Sequence, residues 1–155
     1  MTKRGRHTFA LALVVVLASS AAALAGPLKG KTYEGGVPSS GTNLEGHHAR
    51  IHAGGNIVLR VARNGGSVTV RFSSSSPLIY CNTQEKLHSQ SGKAASISRS
   101  GTFKASIAEK FGTGPGPPAI VQVVSGKFSG RTVRGTIHTE QPECGGFSSF
   151  SATAR

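Results

Sequence analysis

The sequence contains no aspartate and no tryptophan, and only six of its 155 residues are acidic, all of them glutamates. Eighteen lysines and arginines outweigh them and give a formal net charge of +12. The shortage of carboxylates leaves few candidates for a general acid, a general base or an oxygen ligand to a metal. The absence of tryptophan removes the largest flat side chain on which a neutral sugar could stack.

Long apolar runs are also missing, with one exception near the N-terminus. Three basic residues precede the apolar run Phe9–Ala18, and the small-residue stretch Ser19–Gly26 follows it. This is the three-part pattern of a secretory signal peptide. The apolar run is about half the roughly 20 residues that a membrane span needs, so an uncleaved anchor fits less well. We predict a signal peptide over residues 1–25, cleavage after Ala25, and no stable membrane span afterwards.

Removing the signal leaves residues 26–155, a length that suits one secreted domain with a modest core. These residues keep fifteen basic and six acidic side chains, a formal charge of +9. The excess favours an acidic glycan or a cell-envelope polymer as partner. The basic residues are scattered, however, and a merely solvated basic surface is the alternative.

Cysteine is scarce, and both copies, Cys81 and Cys144, lie in the predicted mature domain. An even pair in an oxidising compartment indicates a structural disulfide. The two positions are 63 apart. Closing a loop of that length stabilises a fold by about 4 kcal/mol in the chain-entropy view.

Helical periodicity is absent over any useful length, and apolar residues alternate with polar ones in short runs. The clearest element is a hairpin around Asn64-Gly65, a pair that suits a two-residue type I′ turn. This turn places three apolar pairs on one face: Val61 with Val68, Leu59 with Val70, and Ile57 with Phe72. A turn one residue later would set Arg60 opposite Arg71, a like-charge pair that costs stability. We therefore predict the Asn64-Gly65 register.

The same reasoning predicts further strands over residues 31–34, 46–52, 77–81, 96–98, 102–108, 119–128, 132–138 and 146–154, with turns at Ser100-Gly101 and Ser129-Gly130. Segments 37–44 and 112–118 are predicted to be loops. Eight or nine short strands indicate an all-β fold, preceded by a signal-peptide helix. The fold is either a single antiparallel β-sandwich or a small closed barrel.

Several short motifs follow one another along the chain: Gly-Lys-Thr-Tyr-x-Gly over 30–35, Arg-Val-Ala-Arg-Asn-Gly-Gly over 60–66, Ser-Gly-Thr-Phe over 100–103, Val-x-Gly-x-Phe over 124–128 and Gly-Thr-Ile over 135–137. With one mid-chain and one late cysteine, the mature chain resembles a group of small secreted bacterial all-β proteins of unassigned activity. The resemblance implies the sandwich fold and the Cys81–Cys144 bond. It carries over no functional residues.

Histidines offer the most tempting metal site, with His47 and His52 as weak candidates. His48 and His52 share a face of a strand but lie about 13 Å apart, too far to chelate one ion. A loop could still bring His47 and His52 to one metal with His88 or His138. Structural sites usually need four ligands in fixed geometry, so we expect surface histidines and no cofactor.

Catalytic patterns are sparse. No Gly-x-Ser-x-Gly elbow presents a serine, and any acid of a triad must be one of the six glutamates. Glu140 and Glu143 are close in sequence, but they precede Cys144 in a predicted turn. A secreted hydrolase would need a Ser/His/Glu centre assembled in space.

Binding is the stronger class of function. Arg60 and Arg71 are predicted to lie diagonally on the outer face of the hairpin, near enough to cooperate on an anionic ligand. Nucleic-acid binding would be helped by exposed aromatics, which are few here, so we expect no specific nucleic acid as partner. Four phenylalanines are assigned to the core: Phe72, Phe103, Phe128 and Phe150. The remaining aromatic candidates are Tyr33, Tyr80, Phe111 and Phe147. We therefore expect a monomeric, disulfide-stabilised, non-enzymatic binding or envelope-associated module, with a hydrolase as the alternative.

Overall fold

A computed structural model describes residues 26–38, 40–52, 55–72, 78–79, 92–109, 120–140 and 145–155. Within these residues the chain forms eleven β-strands and no helix. The strands are β1 (Thr32–Gly36), β2 (Ser40–Asn43), β3 (His48–His52), β4 (Asn56–Val61), β5 (Ser67–Phe72), β6 (Leu78–Ile79), β7 (Ala95–Ser96), β8 (Thr102–Glu109), β9 (Ile120–Ser129), β10 (Thr132–Glu140) and β11 (Gly146–Ala154). The all-β prediction is confirmed, whereas the predicted signal-peptide helix lies outside the described residues.

Eight of these strands form a nearly closed antiparallel barrel. Pairing runs in the order β8, β9, β10, β11, β1, β4, β5 and β7. The ring is completed where an isolated bridge joins Ile97 to Phe103 and the Ser98 N–H donates to Thr102 O at 2.8 Å. Of the two architectures that the strand pattern allowed, the structure therefore has the barrel. The remaining strands, β2, β3 and β6, extend from the N-terminal end of β11.

The β4–β5 hairpin has the predicted register, but not the predicted turn. Val61, Leu59 and Ile57 lie opposite Val68, Val70 and Phe72. The Gly65 N–H donates to Ala62 O at 2.9 Å, and Ala62 N–H donates to Ser67 O at 2.9 Å, so the connection is longer than two residues. Gly66 N–H donates to Asn64 Oδ1 instead of completing a two-residue turn. The side chain of Asn64 thus stabilises a wider loop around Gly65, whose φ is 77°.

The other hairpins follow the sequence pattern, with two corrections. Strands β9 and β10 pair as predicted, but Ser129 lies opposite Thr132, so the turn falls on Gly130-Arg131 and not on the predicted Ser129-Gly130. Residues 37–44, predicted to be a loop, instead contain β2, which pairs with both β11 and β3. The glycine, serine and threonine of this segment carry no apolar alternation, so its strand depends on backbone pairing that the sequence pattern does not reveal. The predicted loop 112–118 lies outside the described residues.

Aromatic rings fill the barrel. Phe72, Phe103, Phe128 and Phe150 are at most 5% exposed, which confirms their assignment to the core. Tyr33 was a candidate for an exposed aromatic, and this prediction is wrong because its side chain is fully buried. Its hydroxyl accepts from Leu28 N–H at 2.8 Å and donates to Gly130 O at 2.6 Å, so burial leaves no unpaired polar atom on the ring.

Two inward-facing glycines make room for these rings. Gly126 on β9 lies directly opposite Gly135 on β10. A Cβ at Gly126 would lie 2.8 Å from the Phe103 ring, and one at Gly135 would lie 2.7 Å from the Phe150 ring and collide with Ser125 O. At this level of the barrel interior, the phenylalanine rings therefore pack over the two glycines, where the backbone carries no side chain.

We predict that Gly135→Ala destabilises the protein by about 1–3 kcal/mol because the added methyl group overpacks the core. Gly36→Ala is the control, since a Cβ there meets nothing within 4 Å. Urea denaturation of both variants measures the difference. Equal free energies of unfolding for the two variants would contradict this account of the core.

Candidate functional site

The outer face of β1, β4 and β5 presents the two arginines that the sequence singled out. Arg60 lies between Thr32 on β1 and Thr69 on β5, and Arg71 lies opposite Val58. Both arginines are exposed. Their positions are diagonal neighbours on one face, a relation that separates two residues by about 7–8 Å. The predicted arrangement of Arg60 and Arg71 is therefore confirmed, although their function is not tested by it.

A shallow groove runs beside Arg60 along the same face. We call it the β4–β5 groove; it has a volume of about 430 Å³ and is lined mainly by Thr32, Arg60, Arg63, Ser67 and Thr69. Arg63 belongs to the turn that the Asn64 side chain stabilises. The groove thus combines two guanidinium groups with three hydroxyl groups. Guanidinium and hydroxyl donors together suit a phosphate, sulfate or carboxylate.

The positive charge at this groove is not neutralised by neighbouring carboxylates. Among the lysine and arginine side chains that the structure describes, only Arg155 forms an ion pair, at 3.1 Å from Glu34. Glu34 is the nearest acidic residue on β1, and its partner Arg155 already offsets its charge. Arg60, Arg63 and Arg71 are left to solvent or to a ligand.

The histidine candidates do not form a metal site in the described part of the chain, where no three His, Cys, Asp or Glu side chains cluster. His47 lies 3.6 Å from Glu45, and both side chains are more than three-quarters exposed. His52 is the last residue of β3, and its side chain is not described. The sulfur atoms of Cys81 and Cys144 also lie outside the described residues, so the disulfide stays a prediction.

The structure also brings together three side chains that the sequence named only separately: His138, Glu140 and Phe147. His138 on β10 stacks on Phe147 of β11, with ring centroids 4.3 Å apart and planes 7° apart. His138 Nδ1 lies 3.7 Å from Glu140 Oε1. Among the described residues no serine hydroxyl bonds to His138, so this pair lacks the nucleophile of a hydrolase. The alternation within each strand shows which side chains face outward, but it does not show which residues of β10 and β11 lie opposite each other.

Fold and surface together define a small antiparallel β-barrel with a basic, hydroxyl-lined groove on its outer wall. No protein-family model matches the chain, and no curated protein matches it at a significant level. The described residues include no helix with the length and apolar character needed to cross a membrane.

We expect that Arg60→Ala combined with Arg71→Ala changes the free energy of unfolding by no more than about 1 kcal/mol, because both side chains are exposed and unpaired. Thermal and urea denaturation of the double variant measure this. A large loss of stability would mean that the arginines hold the sheet together and are not free for a ligand.

Proposed function

We propose that this chain is an exported, non-enzymatic binding module that holds an anionic polymer at the cell envelope. The observation that carries the proposal is the set of arginines around the β4–β5 groove, which form no ion pair within the described part of the chain. Arg60 is anchored on a strand, and Arg63 is held by an ordered turn. The backbone that carries these guanidinium groups is therefore already ordered before a ligand binds.

An extended polymer fits this face better than a small isolated anion. Arg71 lies in the next row of the face, beyond the residues that line the groove. A single exposed ion pair contributes little and is screened by salt. Several such contacts along one chain add up, so a polymer with regularly spaced anionic groups gains from all three arginines.

The hydrolase alternative has less support. Hydrolysis by a serine needs a base within hydrogen-bonding reach of the hydroxyl. The His138 side chain is 31% exposed, and its neighbours are Glu140 and Phe147. Turnover of ester, peptide or glycoside substrates that a His138 or Glu140 substitution abolishes would favour the hydrolase instead.

We predict that Arg60→Ala plus Arg71→Ala weakens binding to long-chain polyphosphate by about tenfold, because two exposed charged contacts together contribute about 1–2 kcal/mol. Binding should also weaken as salt is raised. Titration calorimetry at two ionic strengths measures both effects.

The matched control is Arg99→Ala plus Lys104→Ala. Both side chains are exposed, the first in the turn before β8 and the second on β8, and neither lines a groove. The control removes the same charge and should retain most of the affinity. An equal loss in both double variants would show binding to net charge alone and would count against the groove.

Export and the disulfide have a joint test. Protein recovered from the medium of expressing cells should begin at Gly26 and should weigh two hydrogens less than the reduced chain, because Cys81 and Cys144 are joined. Intact-mass measurement before and after reduction checks both points. Free thiols at both positions, or retention of residues 1–25, would contradict the prediction.

A further inference from the structure

The free edge of β11 opens a second groove in the barrel wall. Strand β1 pairs with Thr153 and Ala154 at one end of β11, and β2 pairs with Gly146 and Phe147 at the other. Among the described residues nothing pairs with the five residues between them on that edge. A groove of about 430 Å³ lies there, which we call the β11 groove; its lining includes Gly36, Pro38, Arg134, Ser149 and Ser151.

Backbone groups are directed into this opening. The Ala154 N–H donates to Arg131 O on the β10 side, whereas the Arg155 N–H donates to Thr32 O on the β1 side. Peptide groups alternate along a strand, so the odd-numbered Ser149 presents its N–H and C=O towards the gap. An unpaired peptide group at a groove is a hydrogen-bonding site for a ligand.

The outward side chains around the groove include an aromatic ring and several hydroxyl groups. Phe147, 45% exposed, stands two positions before Ser149 on the same face, with one side of its ring covered by His138. Ser149 and Ser151 supply hydroxyl groups, and Thr136 lies directly opposite Ser149. From Phe147 to Ser151 this face spans about 13 Å along the strand.

Two adjacent cations mark the far end of this surface. Arg134 lines the groove and lies directly opposite Lys127 on β9. Like charges directly opposite on one face destabilise a sheet, and neither side chain has an ion-pair partner in the described part of the chain. A bound anionic group would relieve this repulsion.

We infer that the β11 groove is a separate site for an acidic polysaccharide. A sugar ring offers a C–H face to Phe147, its hydroxyl groups match the serine hydroxyls and the peptide groups of β11, and a carboxylate on the sugar matches Arg134 and Lys127. An added peptide strand fits poorly, because β1 and β2 already occupy both ends of the same edge. The inference does not rest on the β4–β5 groove.

The test measures binding of purified protein to an oligogalacturonate by titration calorimetry. Arg134→Gln and Phe147→Leu should each weaken binding by about tenfold, the first through a lost charged contact and the second through a lost ring. Arg99→Gln, the same charge change at an exposed turn residue that lines neither groove, should leave binding within about twofold. Circular dichroism of each variant verifies that the barrel is folded.

Two comparison ligands separate the possible outcomes. Methyl-esterified oligogalacturonate should bind more weakly and lose its sensitivity to Arg134→Gln while keeping its sensitivity to Phe147→Leu. Polyglutamate of similar charge should be insensitive to Phe147→Leu. Equal binding by wild type and both variants would overturn the inference. Loss of binding only when Arg60 and Arg71 are changed would also overturn it, because that result would place the sugar in the β4–β5 groove. If Phe147→Leu weakens the binding of polyglutamate as much as that of oligogalacturonate, the choice of a sugar as ligand is wrong.

Discussion

The volume inside an eight-stranded barrel is the constraint on which the rest of this structure depends. Such a barrel is just wide enough to be filled by its own side chains. Here Tyr33 meets Phe128 edge to face with ring centroids 5.0 Å apart, and Phe103 lies 5.3 Å from Phe128. The rings fit only because Gly126 and Gly135 contribute no side chain at the same level. At this level, the described part of the barrel interior is thus filled by its own side chains.

Close approach of backbones also determines where the outer wall opens. A Cβ on Gly35 would collide with Ser151 O, and one on Gly41 would collide with Phe147 O. These two glycines let β1 and β2 come close to the same edge of β11 at different heights. Because β1 then continues beside β4 while β2 continues beside β3, the edge between them is left open. The β11 groove is therefore a consequence of strand topology.

Local pattern predicted those parts of the fold that depend on neighbours in sequence. The β4–β5 register followed from alternation and from keeping Arg60 away from Arg71, and the outward position of both arginines followed with it. The choice between barrel and sandwich depends on the long-range pairings of β1 with β11 and of β5 with β7, which no local pattern reveals. Burial of Tyr33 depends on Gly130, 97 residues away, whose carbonyl oxygen accepts a hydrogen bond from the Tyr33 hydroxyl. The β11 groove escaped prediction for the same reason, since β1, β2 and β10 meet there.

The two grooves differ in what holds a ligand, and this difference bears on their roles. At the β4–β5 groove the attraction comes from guanidinium groups, so it reaches further and fades as salt rises. At the β11 groove an exposed ring, hydroxyl groups and peptide groups would act at contact distance beside the charges of Arg134 and Lys127, so binding there would depend less on salt. A basic surface of the first kind gathers anionic chains without much discrimination, whereas a surface of the second kind selects among them. Under both proposals, the wall would collect anionic polymers by charge and retain those whose sugars fit the edge of β11.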